Sequence, residues 1–327
     1  MRRSVLIRRL GAFLALSAAG AAGAAALAPS SPYETGEQVY AGVRTLPAER
    51  LQIAGGEIAV RFADPAKPHH DEVIAWVRRS AAALTAYFGR FPVSHLDLLI
   101  VSTDGDGVRG GTTFGYRGAA IRVHVGRDAS TKTFNTDWIL VHEMVHAALP
   151  NVPRASLWVQ EGQAVYVEPI ARVQAGQLDP AEVWRWALVG MPKGEPEAGD
   201  LGLDLTHTWG RTYWGGAAFW MVADLHIRQR THNRLGVQTA LRAISRESGG
   251  NTAEWSVDQV MAAGDRATGG HELTELYAAM KDSPAPLDLP ALFQALGVSM
   301  PAGQVVFDDA APMADVRRAI TTKMTGS

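Results

Sequence analysis

The sequence predicts an α+β fold, with a small twisted sheet plus helices in its first half and an all-helical second half. Three observations carry this. Short apolar or alternating runs of strand length are confined to about residues 51–125. Apolar residues at helical spacing dominate the rest of the chain. Clusters of Gly and Pro then cut the helical part into separate pieces. A chain of 327 residues has room for a sizeable core and two packed lobes.

Residues 1–28 begin with Arg2, Arg3, Arg8 and Arg9 and continue as an Ala/Gly/Leu stretch to Ala28. That is the layout of a secretory signal peptide, expected to be removed rather than kept as an anchor, because Ala and Gly partition poorly into lipid. The protein is therefore expected to be exported, periplasmic or secreted, and to meet a membrane only if that segment is retained. Residues 29–50 read as a loose leader rich in Pro, Ser, Gly and charge. Residues 51–150 read as an α/β lobe and residues 151–327 as a helical lobe. Within the first lobe, Leu51–Ile53 and Glu57–Phe62 are β-like. A helix is expected over His70–Phe88, then a strand over Leu96–Val101. Asp104–Gly111 reads as a glycine-rich turn, and Thr112–Tyr116 and Ala120–Val125 as strands. Further helices are expected from Thr136 or Asp137 to Leu149, over Leu157–Ile170, over Ala181–Val189 and over Tyr213–Gln229.

Composition excludes several chemistries. There is no cysteine, so disulfides, thiolate catalysis and sulfur-based zinc sites are ruled out. The formal net charge is -2. Without residues 1–28 it becomes -6, from 27 basic and 33 acidic residues. No basic field points to nucleic acid.

Residues 142–146 read His-Glu-Met-Val-His. On a helix, His142 and His146 lie one turn apart on one face and can present two imidazoles to one ion. Glu143 projects beside them, within reach of a metal-bound water. A catalytic zinc needs a third protein ligand and one position open to water. Fourteen residues separate His146 from Glu161, which stands in Trp158-Val-Gln-Glu161-Gly-Gln-Ala-Val-Tyr166-Val-Glu168 on the next expected helix.

That stretch resembles the third-ligand helix of the gluzincin metallopeptidases, and above all of the aminopeptidase N and glycyl aminopeptidase families. The resemblance implies a thermolysin-like two-lobed catalytic unit, trimmed relative to those families, with one Zn2+ held by His142, His146 and Glu161. It also implies Glu143 as general base. Tyr213, opening Tyr213-Trp-Gly-Gly216, maps onto the family tyrosine that stabilises the oxyanion, although Gly215 stands where that pattern has Lys. Gly110, Gly111, Thr112 and Thr113 occupy the place of the family's substrate-binding strand. The position that holds an amine-gripping acid in aminopeptidase N holds Thr113 here. Glu168 reads either as a partner for the far nitrogen of a ligand histidine or as a solvated carboxylate at the helix end. Tyr213 can equally be an aromatic packed at a helix start.

The expected function is a zinc metallopeptidase acting on a peptide or protein. Two other readings share the same site: a non-catalytic zinc-containing scaffold of the cell envelope, and an amidase acting on cell-wall peptides.

Overall fold

The structure, a computed structural model, describes residues 33–322. The expected signal segment lies outside the described residues. Among those residues no helix is long and apolar enough to cross a membrane.

A five-stranded sheet has the order β1-β2-β3-β5-β4, from β1 (Glu49–Ile53), β2 (Gly56–Phe62), β3 (His95–Thr103), β4 (Val108–Phe114) and β5 (Ala120–Gly126). β1 and β2 form a tight hairpin through Ala54 and Gly55, where a φ of 91° suits glycine. The helix α2 (His70–Phe88) crosses from β2 to β3, so those two strands run parallel. β3 and β5 are parallel, while β4 closes the edge antiparallel to β5. Part of the expected glycine-rich turn is therefore strand. Val108 starts β4, and a bulge between Val108 and Gly110 absorbs the extra residue.

The expected loose leader is not loose where it is described. Residues Gly36–Thr45 form a helix, α1. Thr35 and Gln38 make a capping box at its start. Val39 and Tyr40 pack on Leu99, Val101 and Ala120, covering one face of the sheet. Apolar burial on a helical face outweighs the Pro and Ser nearby. Thr35→Ala is expected to cost about 1 kcal/mol, measured as a shift in the urea midpoint at unchanged slope.

The other face carries the main core. Ile58, Val60, Leu96, Leu98, Ile121 and Val123 meet α2 and the later helices in one continuous apolar cluster. The expected helix from residue 136 or 137 to Leu149 is α4 (Ile139–His146), shorter at both ends, and a separate helix, α3 (Thr131–Thr136), precedes it. Asp137 breaks them with an extended backbone, ψ 142°. Its carboxylate accepts the N–H of Leu140 in the first turn of α4 and the indole N–H of Trp76 from α2.

After a short loop come α5 (Trp158–Gln174) and α6 (Pro180–Gly190). A π-helical turn over Gly210–Gly215 then leads without a break into α7 (Gly216–Thr231). The remaining described chain is helical apart from a two-residue ribbon, Val298–Ser299 with Val306–Phe307.

Candidate active site

α4 lies against α5 and the edge strand β4, and these three elements place the chemistry. His142 and His146 sit one turn apart on α4, with ring centroids 4.9 Å apart and planes at 86°. Each Nε2 lies 3.4 Å from Oε2 of Glu161, on the first turn of α5. One ligand atom from each of the three residues falls within 4.8 Å of the others. Both histidine rings and the Glu161 side chain are largely removed from water.

The charges of this cluster are mutually dependent. Burial would push the Glu161 carboxyl up, but His146 and then His142 outweigh it and hold the group well below the usual carboxylate range. Burial would push His146 down. The Glu161 carboxylate, with Glu143 behind it, leaves it raised. Among the described residues, Glu161 Oε2 is a buried acceptor with no regular hydrogen bond, aimed at the point the two Nε2 atoms share. Leaving such an oxygen unpaired is costly. Two imidazole nitrogens and one carboxylate oxygen are the donor set of a three-ligand zinc site, so the residues fit that ion.

Glu143 is 8% exposed and reaches the same space. Its side chain lies across Gly111 of β4. A Cβ at Gly111 would come within 2.4 Å of Glu143 Cγ, so only glycine lets the carboxylate pass. Thr113, two residues along the strand, presents its hydroxyl to Glu143 Oε2 at 2.7 Å.

Tyr213 approaches from the third side, within the π-helical turn. Burial pushes its hydroxyl up, and the carboxylates of Glu161 and Glu143 push it further, with a hydrogen bond to Glu161. Trp209 stacks on its ring at 6.1 Å and 27°. The turn is braced by Arg211, which pairs with Asp200 at 2.8 Å and donates to the carbonyl of Gly194 at 2.7 Å. A π-turn adds a residue to the helical repeat, and such insertions recur at functional sites. Only the glycines at 210, 215 and 216 hint at it in the sequence.

Two expected site residues sit elsewhere. Glu168 is 1% exposed but bonds no histidine; its carboxylate accepts from Arg172 at 2.9 Å. Seven residues carry it roughly 10 Å along α5 from Glu161. Neither a solvated end nor a histidine partner describes it. Burial pushes its carboxyl up to about 7 against the pull of Arg172. Asp137, at the start of α4, is pushed by burial to about 6. Nδ1 of His142 has no hydrogen-bond partner among the described residues. Thr112 also faces away. Strand alternation turns it towards α1, where it accepts from buried Arg122 at 2.6 Å, and Arg122 in turn pairs with Glu34 at 2.9 Å. Gly110 lies at the bulge with a φ of 153°.

Trp138 was invisible to motif reasoning. It caps the outer side of His142 edge-on at 5.6 Å and meets Trp186 at 6.4 Å.

No family model matches the chain, and no curated protein matches it. Solved structures do. The aminopeptidase N family protein of Idiomarina loihiensis aligns over 78% of this chain and 49% of its own, at 16% identity and a TM-score of 0.57. A two-domain M1 zinc metallopeptidase variant bound to L-arginine aligns over 74% and 54%, at 14% identity and a TM-score of 0.47. The M1 zinc metallopeptidase of Deinococcus radiodurans aligns over 73% and 53%, at 13% identity and a TM-score of 0.44. The chain spans about half the length of the structures it matches. The first of these likenesses shows the fold, a small mixed sheet with many helices, similar to that of the aminopeptidase N family protein.

Proposed function

We propose that this chain is a zinc-dependent metallopeptidase of gluzincin type, exported from the cell. The observation that carries the reading is the convergence of His142 Nε2, His146 Nε2 and Glu161 Oε2 beside the Glu143 carboxylate. The fold likeness to an aminopeptidase N family protein supports it. His142, His146 and Glu161 would hold the ion. When bound, zinc supplies a water acidified towards ~7 and polarises a carbonyl oxygen.

The chain's own residues do the rest. Glu143 takes the proton of the attacking water and hands it to the leaving amine. Tyr213 keeps its proton at neutral pH, because burial and two neighbouring carboxylates oppose its loss. It therefore donates to the oxygen on which negative charge develops. β4 is the edge of its sheet, so its outer side is open to an extended substrate added as a further strand. Thr113, where an acid would grip a free amino group, is committed to Glu143 instead.

The test is metal analysis joined to digestion of a peptide library. One zinc per chain and zinc-dependent cleavage are expected. Absence of zinc from protein purified without chelator, or cleavage that survives its removal, would sink the reading. Chelation should also lower the melting temperature by about 4 °C at zinc near 100-fold above its dissociation constant, since that excess is worth ~2.7 kcal/mol. Calorimetry with and without EDTA reads this directly.

A further inference from the structure

We propose that Thr113 is a positioning residue for Glu143, so that the edge strand β4 orients the general base as well as facing the substrate. The inference rests on the peptidase reading of the site. The Thr113 hydroxyl lies 2.7 Å from Glu143 Oε2 and 2.9 Å from the Glu143 main-chain carbonyl oxygen. Both partners are acceptors, so the single hydroxyl proton is shared between the carboxylate and the carbonyl of one residue. The Glu143 methylene and carboxyl lie over Gly111, whose missing Cβ leaves the groove they occupy. Carboxylate and strand are fitted to each other by one absent atom and one hydroxyl.

The strand is itself held from behind. Successive side chains of β4 point to opposite faces. Thr113 pairs with Ile121 in the register and shares the α4 side of the sheet. Thr112 pairs with Arg122 and is tied to that guanidinium on the α1 side. Glu34 anchors the same guanidinium. At the far end, the carbonyl of Phe114 accepts from the Asn251 amide at 3.2 Å. β4 is therefore a fixed rail, and Thr113 transmits its position to the base.

A free Glu side chain loses rotamer freedom when it is fixed. A tether made in advance removes that ordering from the reaction, and misplacement by about 1 Å costs on the order of 100-fold. Thr113→Val keeps the shape and the β-branch but removes the hydroxyl. It should lower kcat by about 10- to 100-fold and leave KM within about 2-fold. Thr113→Ser, which keeps the hydroxyl, should restore most of kcat. Zinc content and melting temperature should match wild type in both.

A rise in KM at constant kcat would show that Thr113 binds substrate instead, and would overturn the proposal. So would a serine variant as impaired as the valine one. Crystal structures of zinc-loaded wild type and Thr113→Val give a readout that needs no turnover. The Glu143 carboxylate should leave Gly111 in the variant; an unmoved carboxylate refutes the tether. A wild type that cleaves no peptide refutes the peptidase reading, while the crystallographic comparison still decides whether Thr113 holds Glu143.

Discussion

Glu143→Gln should retain one equivalent of zinc per chain and lose peptide hydrolysis by about 10²- to 10⁴-fold, the usual contribution of a positioned acid–base group. The substitution is nearly isosteric. An amide oxygen still accepts from the Thr113 hydroxyl, which stands 2.7 Å from Oε2 in the wild type. The amide still lies over Gly111, where there is space only because no Cβ is present. His142, His146 and Glu161 remain as they were. What disappears is the capacity to take a proton, so kcat should fall while KM and zinc content hold. A second effect runs the other way. Burial pushes the His146 pKa down, while Glu161 and, after it, Glu143 hold it up, and a neutral Gln relaxes the Glu143 part of that pull. Metal uptake requires neutral imidazole, so this change offsets part of the attraction for the dication that the lost carboxylate supplied, and zinc content should hold. The measurement is single-turnover cleavage of a library-derived peptide beside metal analysis on the same sample. Cleavage within a few-fold of wild type would remove Glu143 from the mechanism.

Much of the site was legible because helices give fixed spacings. His142 and His146 are four apart, and Glu161 opens the next helix after a short loop. Local periodicity therefore places all three candidate ligands. Thr113 shows how strand periodicity works less well from sequence. Alternation says that Thr112 and Thr113 face opposite ways, but only the register against Ile121 and Arg122 says which faces the site. Glu168 shares a helical face with Glu161, yet a face is not a distance, and two turns carry it to Arg172. The helix α1 had a readable signature in Thr35-x-x-Gln38, hidden by the surrounding Pro, Ser and charge. The π-helical turn had none beyond its glycines. It depends on tertiary partners, the Arg211–Asp200 pair among them, that no local pattern encodes. The break at Asp137 is similar. Its carboxylate is claimed by Trp76, from a helix sixty-one residues away in sequence.

Gly162→Ala is expected to destabilise the fold by about 3 kcal/mol or more and to weaken catalysis in the surviving folded protein. Gly162 comes directly after Glu161 and lies where α5 crosses α7. A Cβ there would stand 2.2 Å from the carbonyl carbon of Gly216 and 2.4 Å from its Cα. From the other side, a Cβ on Gly216 would stand 2.4 Å from the carbonyl oxygen of Trp158. These are main-chain atoms, so no flexible side chain can step aside. Alanine gains about 1 kcal/mol of helix propensity over glycine, whereas overpacking costs about 1–3 kcal/mol and a main-chain clash lies at or beyond the upper end. The clash wins. The pair of helices cannot simply shift, because the Trp220 indole donates to the Val159 carbonyl at 2.9 Å and Trp158 donates to Asp204 at 2.7 Å. If α7 does retreat, the π-helical turn ahead of it moves too. Tyr213 then loses its contact with Glu161, while His142 and His146, on α4, stay. The expected signature is a melting temperature lower by about 5 °C or more, normal zinc content at about 25 °C and a reduced kcat. Thermal melts, metal analysis and kinetics on one preparation read all three. An alanine variant that melts at or above wild type would mean that the α5–α7 contact does not set the position of Tyr213. The glycine after Glu161 thus bears on the site through the backbone, since its lack of a side chain lets α7, and with it Tyr213, approach Glu161.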